Sequence, residues 1–160
     1  MTKQVIFAVA ENGAFGHQGG LPWPRHSEDL AWFYKLTQRT DLVMGAATYT
    51  TLPIYPSEAR NFIVVSNTVV SNNPFVHVIK RKDFYKFYTS TGRNLTVIGG
   101  KSLITLDVLK GAEKIYMTTF KGSPVADTFL DEEELTYVRG LENKTTIFKD
   151  EAAHMELYYA

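Results

Sequence analysis

Short apolar runs rich in β-branched residues recur along the chain, at 5–10, 42–45, 62–65, 75–79, 95–98 and 115–120. Runs this short, bounded by turn-forming residues, read as buried strands. Between many of them the spacing of apolar positions predicts helices, over 27–38, 46–52, 82–88 and 101–109. Buried strands alternating with helices indicate a largely parallel sheet covered on both faces. The last third changes character: 144–149 and 154–159 read as two strands with no helix between them, so an antiparallel pair should finish the sheet. The expectation is one α/β domain over 1–160, with a mixed, mostly parallel central sheet flanked by helices. Its ligand crevice should lie at the carboxyl ends of the parallel strands.

Within the first predicted helix, Ser27-Glu28-Asp29 reads as the start, because a Ser side chain caps free N–H groups and acids favour the first turn. At about 100° per residue, Phe33 and Leu36 fall within roughly 40° of Asp29 and Trp32 about 60° to the other side. Glu28, Lys35 and Arg39 gather on the opposite face. Asp29 therefore sits at the centre of an apolar arc, where a carboxylate is costly unless a polar group meets it. An acid in a first turn also serves simply to start a helix. The neighbourhood favours more than that: a Pro22-Trp23-Pro24 elbow precedes the helix, and a glycine-rich stretch over 13–20 precedes the elbow. Together they describe a mobile loop ending beside a carboxylate at the mouth of an apolar pocket.

Composition narrows the possibilities. A chain of 160 residues can bury roughly 70% of its unfolded surface without staples. There is no cysteine, which excludes disulfides and thiolate metal sites. A formal net charge of zero argues against a nucleic-acid partner. The first apolar run is too short for a secretory core or a membrane span, so a cytoplasmic protein is expected. Nothing suggests a large exposed apolar stripe, so a monomer is expected. His17, His26, His77 and His154 lack metal-ligand spacing and read as solvated or locally bonded, so no metal site is expected. No Ser/His/Asp constellation and no Walker lysine motif is present.

Three strand ends share one chemistry. Residues 97–103 run from a strand into Gly99-Gly100 and then Lys101-Ser102-Leu103. Paired glycines let the backbone approach a ligand closely, although they also serve plain tight turns. Residues 42–48 repeat the arrangement, with Gly45, Ala47 and Thr48 after the strand, and the third strand ends in Ser66-Asn67. Together they suggest a dinucleotide laid across the sheet edge. Thr118, in the strand 115–120, shares a face with Tyr116 and Phe120 by period-two alternation, from which its hydroxyl could meet Asp29.

These blocks, in this order, resemble dihydrofolate reductase from about Val5 to the last strand. Leu-Pro-Trp at 21–23 and Asp-Leu-Ala-Trp-Phe at 29–33 carry the resemblance furthest. Val-Met-Gly at 43–45, Ala-Arg-Asn-Phe-Ile-Val-Val-Ser at 59–66, Val-Ile-Gly-Gly at 97–100, Ile-Tyr-Met-Thr at 115–118 and Ala-Asp-Thr-Phe at 126–129 join it. The resemblance implies NADPH as cofactor and reduction of dihydrofolate to tetrahydrofolate, a step that serves one-carbon metabolism. A reductase of another pterin or pyrimidine is disfavoured because Asp29, Trp23 and Arg60 are all present. A non-catalytic protein keeping the fold is disfavoured by the retained acid, threonine and Gly-Gly.

By the same resemblance, Asp29 grips the amino-pyrimidine edge of the pterin and supports protonation of its ring nitrogen. Trp23 holds a water near Asp29, Thr118 bonds both the acid and the pterin, and Leu21 closes over the nicotinamide. Ile6, Ala8, Leu30, Phe33, Leu52 and Ile98 form the apolar walls, and Arg60 takes the glutamate carboxylate of folate. Against the cofactor it implies Ala8, Phe15, Gly16, Gly20 and Leu21 from the first strand and loop, and Gly45, Ala47 and Thr48 after the second. Ile98, Gly99, Gly100, Lys101, Ser102 and Leu103 complete that set, with Asp127 supporting the glycine-rich segment. Ala46-Ala47 stand where the family usually carries a basic residue. The 2′-phosphate is therefore expected at Ser66, Asn67, Lys80 or Arg81, with a weaker preference for NADPH over NADH. Residues 53–58 also depart from the family pattern.

Overall fold

Leu42, Val43 and Met44 have no exposed surface at all, as a strand covered on both faces requires. They belong to β3 (Asp41–Gly45), near the middle of an eight-stranded sheet in the computed structural model, which describes residues 2–159. Met1 and Ala160, the ends of the expected 1–160 unit, lie outside the described residues. The remaining strands of the sheet are β1 (Lys3–Ala10), β4 (Phe62–Val65), β5 (Val76–Ile79), β6 (Leu95–Gly99), β7 (Lys114–Phe120), β9 (Lys144–Lys149) and β10 (Ala153–Tyr159). Their order is β5-β4-β3-β6-β1-β7-β10-β9. All pairs are parallel up to β7; β10 runs antiparallel to both β7 and β9. A mostly parallel α/β sheet with an antiparallel finish is the architecture the periodicity implies.

Helices cover both faces. Phe33 of α1 (Ser27–Leu36) and Tyr49 of α2 (Ala46–Thr51) pack on the face bearing Ile6, Met44, Phe62 and Tyr116. The face bearing Val5, Phe7, Val43 and Val97 receives α3 (Phe84–Ser90), α4 (Leu106–Lys110) and α5 (Glu132–Arg139). No helix among the described residues is long and apolar enough to cross a membrane.

Several expected elements differ. The helix expected over 101–109 is a short 3-10 turn, Lys101–Leu103, followed by α4. Ile104, 2% exposed, turns inward between them, and Thr105 Oγ1 accepts from Val108 N (3.3 Å) to cap the new start. The helix expected from Lys82 begins as an α-helix only at Phe84. α1 stops at Leu36, and Arg39 lies beyond it at φ 63°, so Arg39 does not share a helix face with Glu28 and Lys35. A small antiparallel pair, β2 (Ala14–Gly16) with β8 (Thr128–Phe129), and the helix α5 were not anticipated.

The register explains where the sheet opens. β1 follows β7 from Gln4↔Lys114 to Ala10↔Phe120, but follows β6 only from Lys3↔Leu95 to Val5↔Val97. Beyond Val5 and Val97 the two parallel strands part at their carboxyl ends. The glycine-rich loop is fastened over this gap by β2–β8, by Leu130 N donating to Gly13 O (3.0 Å) and by Asp127 N donating to Gly16 O (3.1 Å).

Candidate active site

The start of α1 is held by His26, not by Ser27. His26 has extended backbone, and its Nδ1 accepts from Asp29 N (3.0 Å), the reach from an N-cap to its third helical residue. Ser27 is the first helical residue, one position too late to cap. The imidazole lies edge-on to Phe120 (5.5 Å) and stacked near Phe148 (5.7 Å), and it is this packing that makes a histidine serve as a cap.

Capping leaves the Asp29 side chain turned toward β7, where its Oδ1 accepts from Thr118 Oγ1 at 2.6 Å. Thr118 is 1% exposed on β7, on the same face as Tyr116 and Phe120. Burial pushes the Asp29 carboxyl above its ordinary range; the Thr118 hydroxyl, and after it the His26 ring, draw it back in part. Around this carboxylate lies a cavity of about 220 Å³. Ile6, Ala8, Leu30, Phe33, Leu52 and Ile98 all line it, as do Leu21 and Trp23 from the loop. Trp23 is fixed by stacking on Phe120 (centroids 4.4 Å, planes 11° apart). Pro53 and Ile54 also line it, from the segment whose sequence departs from the family pattern.

Arg60 is not among the lining residues. Its Nη2 donates to Tyr34 O (3.0 Å) near the end of α1, and its buried Nε has no partner. The guanidinium is thus tied to the carboxyl end of α1.

A second cleft, about 450 Å³, adjoins the first and shares Phe7, Ala8, Leu21, Thr48 and Ile98 as walls. Phe15, Gly16, Gly20, Ala47, Gly100 and Lys101 line it, as the sequence suggested. Gly45 and Gly99 are not among its lining residues but stand next to Gly100, which is: a Cβ on Gly45 would stand 3.8 Å from Gly100 N, and Gly99 adopts φ +127°. Joined by a cis peptide, Gly99 and Gly100 present bare backbone beside Thr48. His17, Gly19, Thr51, Asp127 and Thr128 also line the cleft; of these the sequence singles out only Asp127, in a supporting role. The loop composition marked Gly19 and the Ala-Asp-Thr-Phe block contains Thr128; nothing in the sequence marked Thr51. Asp127 accepts from Gln18 N (2.7 Å), which holds its carboxyl below the usual range.

Other expected cofactor residues stand elsewhere. Ser66 Oγ accepts from Thr68 N (3.1 Å) and Val69 N (3.0 Å), so the hydroxyl closes its own turn. Asn67 Oδ1 accepts from Arg81 N (3.1 Å). The Leu103 side chain is 3% exposed in the core, because the 3-10 turn after Gly100 rotates it inward. Lys80 is exposed outside the cleft. Arg81 reaches Ser102 Oγ with both terminal nitrogens (3.4 and 3.3 Å), setting an exposed cation close behind Gly99-Gly100.

A split, mostly parallel α/β sheet with a carboxylate-lined apolar cavity and an adjoining glycine-lined cleft at its carboxyl edge defines the class of fold. Comparison with known proteins makes the assignment specific. The family model described as dihydrofolate reductase matches residues 3–159, and the chain belongs to the dihydrofolate reductase family. A dihydrofolate reductase type A10 of Escherichia coli is 34% identical over 110 residues, 66% of this chain but only 58% of that relative's length. The dihydrofolate reductase of Buchnera aphidicola subsp. Schizaphis graminum is 32% identical over 133 residues, 81% of this chain and 78% of the relative. Among solved structures, dihydrofolate reductase from Enterococcus faecalis, complexed with NADP(H) and RAB-propyl, superposes with a TM-score of 0.74 at 25% identity. That match covers 99% of this chain and 95% of the other.

Proposed function

We infer that this chain catalyses the NADPH-dependent reduction of 7,8-dihydrofolate to 5,6,7,8-tetrahydrofolate. One observation carries the reading: the half-buried Asp29 carboxylate, tied to Thr118 at 2.6 Å, lines an apolar cavity that shares a wall with a second, glycine-lined cleft. A carboxylate so placed matches the two-donor edge of an amino-pyrimidine. The solved Enterococcus faecalis relative carries NADP(H), and the bare backbone of Gly16, Gly20 and Gly100 along this cleft leaves room for such a group.

When bound, NADPH supplies the hydride for the carbon of the pterin C=N bond, and the ring nitrogen takes a proton from water. The chain's residues orient and tune. Asp29 accepts the pyrimidine N–H groups, and its charge favours a proton on the ring system. The Thr118 hydroxyl points the carboxylate. Ala8, Leu21 and Ile98, common to both cavities, would hold the two ligands against each other and exclude bulk water. Trp23, stacked on Phe120, borders the carboxylate side of the cavity, where it would hold the proton-delivering water. An absorbance assay with NADPH and dihydrofolate tests the reading; no turnover with NADPH or NADH at micromolar enzyme would overturn it.

Thr118→Val, close in shape, removes the donor to Asp29. A hydrogen bond to a charged group contributes about 1.5–3 kcal/mol. The variant should therefore lose about tenfold to a hundredfold in kcat/KM at neutral pH. Its acid limb should move upward, since the loss of Thr118 leaves burial less opposed; a pH profile checks both.

For cofactor choice, Arg81 is the cation best placed for a 2′-phosphate, because Ser102 holds it beside Gly99-Gly100. Arg81→Ala should weaken NADPH binding about tenfold while leaving NADH unchanged, measured by fluorescence titration. An unchanged ratio would place the 2′-phosphate elsewhere.

A further inference from the structure

The His26 imidazole uses both ring nitrogens at once. Nδ1 accepts from Asp29 N (3.0 Å), and Nε2 lies 2.9 Å from Asp150 Oδ2, in the turn between β9 and β10. A nitrogen that accepts an N–H bond carries no proton, so the ring's single proton sits on Nε2 and is donated to Asp150. Asp150 cannot easily rotate away. Its other oxygen, Oδ1, accepts from Ala152 N (2.8 Å) and Ala153 N (2.9 Å), which aims Oδ2 at the ring. Phe148 and Phe120 hold the imidazole plane, and Phe120 in turn stacks on Trp23.

We propose that His26 and Asp150 form a relay that positions Asp29: Asp150 selects the Nε2–H tautomer, and the lone pair thereby presented at Nδ1 pins the first turn of α1. His26 and Asp150 are positioning residues, acting through the Asp29 backbone. The inference rests on the reading of Asp29 as the pterin anchor only for its effect on binding; the tautomer and the cap stand without it.

Asp150→Asn is the sharpest test, since it changes hardly any volume. The amide oxygen is needed by Ala152 N and Ala153 N, so the NH2 group must face His26 Nε2. That nitrogen then has to accept, the ring proton moves to Nδ1, and Nδ1–H confronts Asp29 N–H. The N-cap bond is lost although His26 is intact. Long-range nitrogen–proton NMR should show His26 as the Nε2–H tautomer in the unaltered protein and as Nδ1–H in Asp150→Asn. The Asp29 amide should exchange with solvent about tenfold faster in the variant.

The dissociation constant for dihydrofolate should rise about three- to tenfold, the scale of a lost cap, with NADPH binding unchanged; a general loss of stability would not split the two ligands. His26→Phe keeps the ring stack without the acceptor and should match Asp150→Asn. His26→Asn restores an acceptor and should return dihydrofolate binding to within about twofold. Adding Asp150→Asn to His26→Phe should cost nothing further. An Nδ1–H tautomer in the unaltered protein overturns the relay, as does an Asp150→Asn variant with unchanged Asp29 amide exchange. If the unaltered protein fails to bind dihydrofolate, the functional reading falls, while tautomer and amide exchange still decide the relay.

Discussion

Asp29→Asn is expected to cut kcat/KM at pH 7 by about 10²- to 10⁴-fold, the range that positioned proton-transfer groups contribute, while leaving the fold at least as stable. The two effects have one cause. Burial disfavours the charged carboxyl, so its folded-state pKa lies above the ordinary value of 3.8. Between those two values the native state binds more protons than the unfolded chain, and stability falls as pH rises through the window and stays lower above it. Asparagine carries no such penalty, and its amide oxygen can still accept from Thr118 Oγ1. Thermal melts should therefore place the variant at or above the unaltered protein at pH 7, with the advantage shrinking as the solution is acidified. Near-normal turnover at pH 7 would remove Asp29 from the proposed role. A lower melting temperature at pH 7 would show that the carboxylate is a net contributor to the fold.

That the acid is strained in this sense was legible before any coordinates, because it depends on angle alone. Asp29 sits between Trp32, Phe33 and Leu36 on a helical projection, and Thr118 falls on the face of Tyr116 and Phe120 by alternation. Both are local periodicities, which sequence records directly. The parallel sheet was legible for the same reason: strands buried on both faces read as continuous apolar runs. What escaped depends on partners far along the chain. α5 carries three glutamates after Asp131 and few apolar positions, and only the packing of Leu135 and Val138 on the sheet makes its short stripe count. The break between Lys101 and Leu106 follows from Ile104 being drawn into the core, a pull with no local signature. His26 displaced Ser27 as the cap because Phe120, Phe148 and Asp150 converge on its ring, all of them more than ninety positions away. Ser66 and Leu103 stand outside the cleft for the same kind of reason, since the Ser66 hydroxyl closes its own turn and the Leu103 side chain is in the core.

Gly99→Ala should damage cofactor binding and stability together, for a reason that lies in the backbone and not in packing. A methyl group at Gly99 would meet only Phe15 Cζ and Thr48 Oγ1, both at 3.9 Å, so there is space for it. The obstacle is the backbone, because φ +127° is a conformation that residues with a Cβ rarely adopt. Holding it costs about 1–3 kcal/mol, and roughly 2–4 °C in Tm accompanies each kcal/mol in a chain of this size. The chain can relieve that strain only by moving the Gly99-Gly100 segment, and Gly100 lines the cleft beside Ile98 and Lys101. NADPH affinity should then fall about tenfold or more. Gly45→Ala is the control that separates strain from steric filling. Its φ of −82° suits any residue, and its added Cβ would stop 3.8 Å from Gly100 N. That variant should keep its Tm within about 0.5 kcal/mol equivalent, and any loss of NADPH affinity it shows would come from the group projecting into the cleft. If Gly99→Ala instead melts and binds NADPH like the unaltered protein, the left-handed turn at the end of β6 does not shape the cofactor cleft.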